Sequence, residues 1–292
     1  MTPTPEPRAG GRLPAGSVAD FHIPGPHGRL AVRLHRPAPA HGPAPAVLYL
    51  HGGGFTAGSL DDADGPAGAL AERAGAAVLC ADYALAPARP FPAAPEDAYA
   101  ALLWLARNAA SLGADGGRLA VAGDDAGGNL AACLALMARD RNEVVLAAQL
   151  LIGPLLDPSM TCLDTAQDAD DRATRRACAS SYRQYLPGVL LRLHPYAAPL
   201  ECRRLAGLPA AFVASAGRDA LHCEAERYAA ALIAAGVPVQ AARYPGLRHG
   251  ELAAHGPLLR EAADFLRRRL ARPARRDTDF PDSETFTFQE AS

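Results

Sequence analysis

The chain has 292 residues, a length that suits one large α/β domain with a sizeable core. Its 31 acidic and 29 basic residues give a net charge of −2, so neither a nucleic acid nor an anionic membrane is expected as a partner. No apolar run is long enough to span a bilayer, and the Pro-rich N-terminus lacks the apolar core of a signal peptide. These features predict a cytoplasmic protein.

Strands and helices are predicted to alternate along the chain. Short apolar runs bounded by glycine, proline or polar residues predict strands. They cover residues 18–23, 29–34, 46–50, 76–81, 118–122, 144–152, 210–215 and 237–244. Runs rich in Ala and Leu, or with an amphipathic period, predict helices. They cover residues 70–74, 96–108, 130–139, 221–235 and 257–270. This alternation favours one mostly parallel sheet with helices on both faces.

Three stretches fall outside this alternation. Residues 1–17 are rich in Pro, Gly and Thr and are predicted to be a disordered N-terminal segment. Residues 271–292 are polar and are predicted to be a flexible C-terminal tail. Residues 154–200 are rich in Asp, Arg and Tyr without a clean period, which predicts an irregular excursion over the pocket. The α/β domain is therefore predicted to span residues 18–270.

A strand-to-helix turn stands at residues 121–129, Val-Ala-Gly-Asp-Asp-Ala-Gly-Gly-Asn. Small residues at positions 123, 127 and 128 allow the strand and helix backbones to approach each other closely. This is the layout of a nucleophile elbow, which lifts the side chain at its apex above the end of a sheet. The elbow normally carries Ser at its apex, whereas the apex here is Asp125.

Two further polar residues follow predicted strands. Asp219 comes after the strand at 210–215, and His249 comes after the strand at 237–244. The order nucleophile, acid, histidine is the chain order of the α/β-hydrolase triad. We therefore predict that Asp125, Asp219 and His249 are the catalytic residues.

A glycine-rich loop follows the early strand at 46–50. Its glycines let bare backbone N–H groups approach a developing oxyanion, which predicts an oxyanion hole. The predicted donors are the N–H groups of Gly53, Gly54 and Ala126. Residues beside these motifs are predicted to line the substrate pocket, and they are His51, Phe55, Tyr83 and Glu251.

Taken together, these motifs resemble the hormone-sensitive-lipase-like esterases, also called the α/β-hydrolase fold-3 group. The matching stretches are His51-Gly-Gly-Gly-Phe55, Asp82-Tyr83 through Glu96-Asp97-Ala98, Gly123-Asp124-x-Ala126-Gly127-Gly128-Asn129, Asp219, and Tyr244-x-Gly246-x-x-His249-Gly250. The resemblance covers roughly residues 18–270. It implies an α/β-hydrolase fold with eight strands and activity on small, often short-chain or aromatic, esters.

The chain departs from the pattern of this family at four places. Asp125 stands where the family has Ser. Residues 219–224 are Asp-Ala-Leu-His-Cys-Glu, where Asp-Pro-Leu-Arg-Asp-Glu is usual. Glu251 replaces a usual Phe, which makes the expected edge of the pocket more acidic. The short N-terminal segment predicts a reduced cap over the pocket.

The substitution at the apex leaves three hypotheses for function. In the first, the Asp125 carboxylate attacks an sp³ carbon, as in an epoxide or C–X hydrolase, and water activated by His249 cleaves the resulting ester. Epoxide hydrolases and haloalkane dehalogenases use Asp at this point of their elbows, an analogy from outside the fold-3 group. In the second, Asp125 and His249 form the acid–base pair of a lyase, dehydratase or cyclase. In the third, the chain is a catalytically degenerate binder of small molecules.

Several neighbouring residues are assigned simpler roles. Asp124 is predicted to be structural, because adjacent residues on an elbow point apart and do not share a metal ion. Tyr182, Tyr185 and Tyr196 are candidates to activate an epoxide oxygen or a halide, although packing within the excursion is favoured for them. No metal and no organic cofactor is predicted. The expected partner is a small-molecule substrate, and a homo-oligomer is left open.

Overall fold

The computed structural model describes residues 15–38, 42–161 and 169–271. These residues include an eight-stranded sheet. The strands are β1 (Val18–Gly25), β2 (Gly28–His35), β3 (Ala44–Leu50), β4 (Ala77–Ala81), β5 (Ala114–Asp124), β6 (Ala148–Ile152), β7 (Ala210–Arg218) and β8 (Val239–Arg248). The helices are α1 (Leu60–Ala74), α2 (Ala93–Asn108), α3 (Ala126–Arg141), α4 (Ala169–Tyr185), α5 (His222–Ala234) and α6 (Gly256–Arg269). The predicted terminal segments 1–17 and 271–292 lie outside the described residues, except for 15–17 and 271. Within the described ranges, no helix is long and apolar enough to cross a membrane.

The strands follow the order β1-β2-β4-β3-β5-β6-β7-β8 across the sheet. The β1–β2 and β2–β4 pairs are antiparallel, and every other neighbouring pair is parallel. The predicted mostly parallel sheet of eight strands is therefore confirmed. Because parallel strands end at the same edge of a sheet, the residues that follow β3, β5, β7 and β8 meet there.

Helices cover both faces of the sheet. The face with Val47 and Tyr49 packs against α1 and α6, and the face with Leu48 and Leu50 packs against α2, α3 and α5. Side chains of successive strand residues point to opposite faces. Central strands covered on both faces must therefore be apolar throughout, which explains the continuous apolar runs in the sequence.

Most predicted elements have bounds that differ by a few residues in the structure, and two of the differences have a clear physical reason. The predicted strand 144–152 begins at Ala148, because the parallel ladders to β5 and β7 begin at that residue. The predicted helix 70–74 is the end of α1, which begins at Leu60 and contains Pro66. The side chains of Pro66 and Leu70 are buried against the sheet. This tertiary packing outweighs the local tendency of proline to interrupt a helix.

The excursion at residues 154–200 contains a helix, α4, where irregular structure was predicted. The side chains of Cys178, Tyr182 and Tyr185 are buried on one face of this helix, at the i, i+4, i+7 spacing of an amphipathic helix. The amphipathic pattern of this helix is weak in the sequence because the first half of α4 is rich in Arg and Asp. Residues 162–168 of the predicted excursion lie outside the described residues.

The elbow glycines leave no space for a side chain, and this gives a testable prediction. A Cβ atom at Gly127 would overlap the backbone carbonyl oxygens of Leu50 and His51. We expect Gly127→Ala to lower the free energy of unfolding by about 3 kcal/mol, measured by urea denaturation. The control is Gly68→Ala in α1, where the new Cβ would lie 3.7 Å from His35 Nδ1, an ordinary contact. That variant should be unchanged or about 0.5–1 kcal/mol more stable. Equal stability of the two variants would contradict the close approach at the elbow.

Candidate active site

Asp125 stands at the apex of the turn between β5 and α3. Its φ of 53° and ψ of −117° lie in a region that non-glycine residues seldom adopt. Its backbone N–H donates to the carbonyl of Ile152 at 2.9 Å, and its carbonyl accepts from Asn129 at 3.1 Å. These bonds hold the strained turn in place. The Asp125 side chain, with 18% of its surface exposed, is thereby directed above the sheet edge.

His249 and Asp219 meet Asp125 at the same edge of the sheet. Asp219 follows the last residue of β7 and His249 follows the last residue of β8, and these two strands are parallel neighbours. The distance from His249 Nδ1 to Asp219 Oδ2 is 2.7 Å, and that from His249 Nε2 to Asp125 Oδ1 is 3.2 Å. The structure thus brings the three predicted catalytic side chains together in one hydrogen-bonded row.

The two carboxylates determine the charge of His249. Burial by itself would lower the pKa of the imidazole, but the hydrogen bonds and charges of Asp125 and Asp219 outweigh it. The pKa of His249 therefore lies well above its ordinary value, and the ring is protonated at neutral pH. In this resting state His249 is a proton donor and has no lone pair available to act as a base.

The predicted oxyanion hole is occupied by the Asp125 side chain itself. Asp125 Oδ2 accepts the N–H of Gly53 at 2.9 Å and the N–H of Gly54 at 2.8 Å. Burial would raise the pKa of Asp125, but the contact with His249 and these two N–H groups outweigh it, so the pKa is lowered. Asp125 is therefore a carboxylate at neutral pH. Ala126 is the first residue of α3, and its role as a third donor stays a prediction.

Three of the four predicted pocket residues are packed inside the protein. The His51 ring stacks on the Tyr83 ring with centroids 4.2 Å apart, and the Tyr83 hydroxyl donates to the His51 carbonyl at 2.8 Å. The fully buried Phe55 ring stacks on Tyr185 at 3.9 Å. The fourth, Glu251, is exposed, and its carboxylate accepts the Arg248 N–H at 2.7 Å. The structure therefore places His51, Phe55 and Tyr83 as supports of the glycine loop.

The cavity beside the triad has a volume of about 340 Å³, which suits a small organic molecule. Its walls are formed by Gly52, Gly53, Ala57, Gly58, Asp62, Asp124, Asp125, Ile152, His249, Gly250, Leu252 and Ala253. The four predicted pocket residues are not among these. Asp62, in the first turn of α1, was not predicted. The sequence feature that could have indicated Asp62 as a pocket residue is the acidic run at residues 61–64, which begins a few residues after the glycine loop.

Asp124 has a structural contact as well as a place in the cavity wall. Its Oδ1 accepts the hydroxyl proton of Tyr49 at 2.7 Å. Burial raises the pKa of Asp124 to about 6, so the group is mostly ionised at neutral pH.

Among the described residues, no group of three or more His, Cys, Asp or Glu side chains is placed to hold a metal ion.

The three candidate tyrosines differ in their surroundings. The Tyr196 hydroxyl donates to Asp140 at 2.9 Å, outside the cavity. The hydroxyls of Tyr182 and Tyr185 are buried, and neither has a hydrogen-bond partner within the part of the chain that the structure describes. Both rings pack against Phe55, with centroid distances of 5.9 Å for Tyr182 and 3.9 Å for Tyr185. Packing within the excursion was the favoured interpretation, whereas the structure packs these two rings against Phe55 of the glycine loop.

Comparison with known proteins assigns the family. A model of the alpha/beta hydrolase fold matches residues 47–253, well over half of the chain. The chain is 42% identical over 239 residues to Esterase LipI of Mycobacterium tuberculosis, an alignment that covers 80% of this chain and 74% of that protein. The chain belongs to the hormone-sensitive-lipase-like carboxylesterase family. Its fold is the α/β-hydrolase fold, as the sequence resemblance implied.

Two further relatives support membership of the carboxylesterase family. The chain is 38% identical over 242 residues to the Ethyl acetate hydrolase of Pseudomonas putida, covering 81% of this chain and 76% of that protein. It superposes with a TM-score of 0.83 on EstE1, a thermophilic carboxylesterase cloned from a metagenomic library. That pair is 36% identical and covers 90% of this chain and 92% of the other. This member of the family is therefore a hydrolase of the α/β-hydrolase superfamily.

Proposed function

We propose that this carboxylesterase relative hydrolyses a small organic substrate through a covalent ester on Asp125. The observation that supports this function is that the two oxygens of the Asp125 carboxylate have different partners. Oδ2 is held by two N–H groups of the glycine loop, and Oδ1 faces His249 at the edge of the cavity. One oxygen can attack a substrate while the other stays where an oxyanion will later form.

The proposed first step is displacement at an sp³ carbon. Asp125 Oδ1 forms the new C–O bond, and the leaving group departs with the electron pair of the bond that breaks. Attack on an ester carbonyl is disfavoured, because it would form a strained mixed anhydride. In addition, Asp125 Oδ2 already occupies the two donors that would have to hold the carbonyl oxygen of an ester.

The second step requires a neutral His249. Alkylation removes the negative charge of Asp125, which is one of the two carboxylates that keep His249 protonated. The pKa of His249 then falls, and its proton passes to the leaving group or to solvent. The neutral ring takes a proton from a water molecule as that water attacks the Asp125 carbonyl carbon. Collapse of the intermediate expels the alcohol, which receives its proton from His249. The carboxylic acid left on Asp125 then gives its proton to the neutral His249, which restores the resting carboxylate and imidazolium.

A second candidate function uses the same pair without a covalent bond. The protonated His249 lies 3.2 Å from the Asp125 carboxylate, so the resting site already contains a proton donor beside an acceptor. Such a pair suits a lyase, a dehydratase or a cyclase, in which one group donates a proton and the other removes one. The covalent route transfers a carboxylate oxygen to the product and a solvent oxygen to Asp125, whereas elimination, dehydration or cyclisation transfers neither.

A single turnover in ¹⁸O-water, with enzyme in excess, distinguishes them. The probes are small epoxides and alkyl halides, both neutral and cationic. The covalent route predicts unlabelled product and one ¹⁸O atom on Asp125, detected by peptide mass spectrometry, because the product oxygen comes from the carboxylate. As a control, enzyme cycled in ¹⁸O-water and returned to ordinary water should pass the label to product. Labelled product with an unlabelled Asp125 would mean direct attack by water. Converted product with no ¹⁸O on either product or Asp125 would favour the acid–base candidate. Binding without turnover or labelling across the panel would favour the binder.

A further inference from the structure

The cavity beside Asp125 has an unbalanced set of charges. Its titratable wall residues are Asp62, Asp124, Asp125 and His249. Among the described residues that form this wall there is no arginine, and the chain contains no lysine. His249 is therefore the single cationic group of the described wall.

The charge of His249 is already shared between two carboxylates. Its ring contacts Asp125 on one side and Asp219, whose side chain is 1% exposed, on the other. This row of one imidazolium and two carboxylates carries a net negative charge before any other group is counted. Asp124 and Asp62 add further negative charge to the same cavity, Asp124 beside the apex and Asp62 at its solvent-exposed side.

The negative field has consequences for the substrate. Walls of one charge sign raise the local concentration of ligands of the opposite sign, and burial strengthens the effect. A leaving group that departs as an anion would be repelled by these carboxylates as its negative charge develops. A substrate that carries a positive charge is attracted, and its charge offsets the carboxylates throughout the reaction.

We propose that the substrate is a small organic cation, such as a compound with a quaternary ammonium group. This inference rests on the proposed function for the identity of the reacting group. The charge preference itself is a property of the cavity in its resting state. The cavity of about 340 Å³, whose uncharged walls are formed by residues such as Ala57, Ile152 and Leu252, accommodates a trimethylammonium group with a short chain.

The first test compares the binding of two probes to the wild-type protein by calorimetry. Choline is the cationic probe, and the neutral probe is the alcohol in which a carbon atom replaces the ammonium nitrogen. We expect choline to bind at least about tenfold more tightly, because the two molecules differ only in charge. Equal binding of the two, tighter binding of the neutral alcohol, or no binding of either overturns the inference.

Two matched variants locate the origin of the preference. Asp62→Asn should reduce the ratio of the two affinities by about threefold, the size expected for one solvent-exposed charge. Asp61→Asn removes the adjacent acid, whose side chain is 85% exposed and paired with Arg33 at 2.8 Å outside the cavity wall. That variant should keep the wild-type ratio. A ratio that falls equally in both variants, or in neither, overturns the assignment to this cavity.

The second test uses a reactive pair and separates this inference from the proposed function. Labelling is measured in the His249→Gln protein, in which the ester on Asp125 is not hydrolysed. Glycidyltrimethylammonium should alkylate Asp125 there at least about tenfold faster than neopentyl oxirane, its neutral carbon isostere. Equal rates of labelling would overturn the charge preference and leave Asp125 as the nucleophile. Selective binding of choline without any adduct from either epoxide would support the charge preference and contradict the nucleophile.

Discussion

Asp125→Ser is expected to raise the hydrolysis of p-nitrophenyl acetate at least about a thousandfold over the wild-type protein. The wild-type carboxylate fills the oxyanion hole through its contacts with Gly53 and Gly54. Serine has a shorter side chain with a single oxygen, so both N–H groups become available to the ester carbonyl. His249 and Asp219 already stand in hydrogen-bond contact at 2.7 Å. The variant then contains every group that acyl transfer requires.

The same substitution changes the charge of His249. With Asp125 removed, one of the two carboxylates that raise the pKa of His249 is lost. The ring then titrates at lower pH and can act as a general base for the serine hydroxyl. Initial rates with p-nitrophenyl acetate provide the measurement.

Two control variants keep this prediction specific. Asp125→Ala empties the hole but supplies no nucleophile, so its rate should stay at background. Combining Asp125→Ser with His249→Ala should return the rate to background as well. Substantial ester hydrolysis by the wild-type protein that persists in Asp125→Ala would remove Asp125 from the mechanism.

His249→Gln is expected to reduce turnover of the substrate by at least about a thousandfold and to trap the ester on Asp125. Glutamine is uncharged and cannot take a proton from water, so the alkylation step survives while the hydrolysis step stops. Intact-protein mass spectrometry after exposure to substrate should show one substrate-derived group, located on Asp125. Asp219→Asn should slow turnover by a similar factor, because the imidazole loses the carboxylate that orients it.

His255→Gln is the matched control for this experiment. His255 packs against the ring of Tyr244 at 5.4 Å and is not part of the cavity wall. The His255→Gln variant should turn substrate over at the wild-type rate and accumulate no adduct. An adduct-free His249→Gln protein that has also lost turnover would favour the acid–base candidate, in which His249 is the proton donor.

Local sequence patterns were sufficient to predict much of the scaffold. Apolar runs bounded by glycine or proline identified the strands, because central strands covered on both faces must be apolar throughout. The small residues at 123, 127 and 128 identified the elbow, because backbone overlap with Leu50 and His51 excludes a side chain at Gly127. Helix α4 was missed because polar residues fill its first half and its buried face shows only in the second.

The sequence by itself determined the order of the elements, the turn that carries Asp125, and the positions of Asp219 and His249 after predicted strands. Each of these follows from backbone propensity, apolar periodicity or the edge at which parallel strands end. Only the tertiary structure decided that Asp125 Oδ2 lies between Gly53 and Gly54, and that Asp62 lines the cavity. The same holds for the burial of His51, Phe55 and Tyr83 beneath the loop. These contacts join distant parts of the chain, and they depend on strand register and helix packing, which no local pattern encodes.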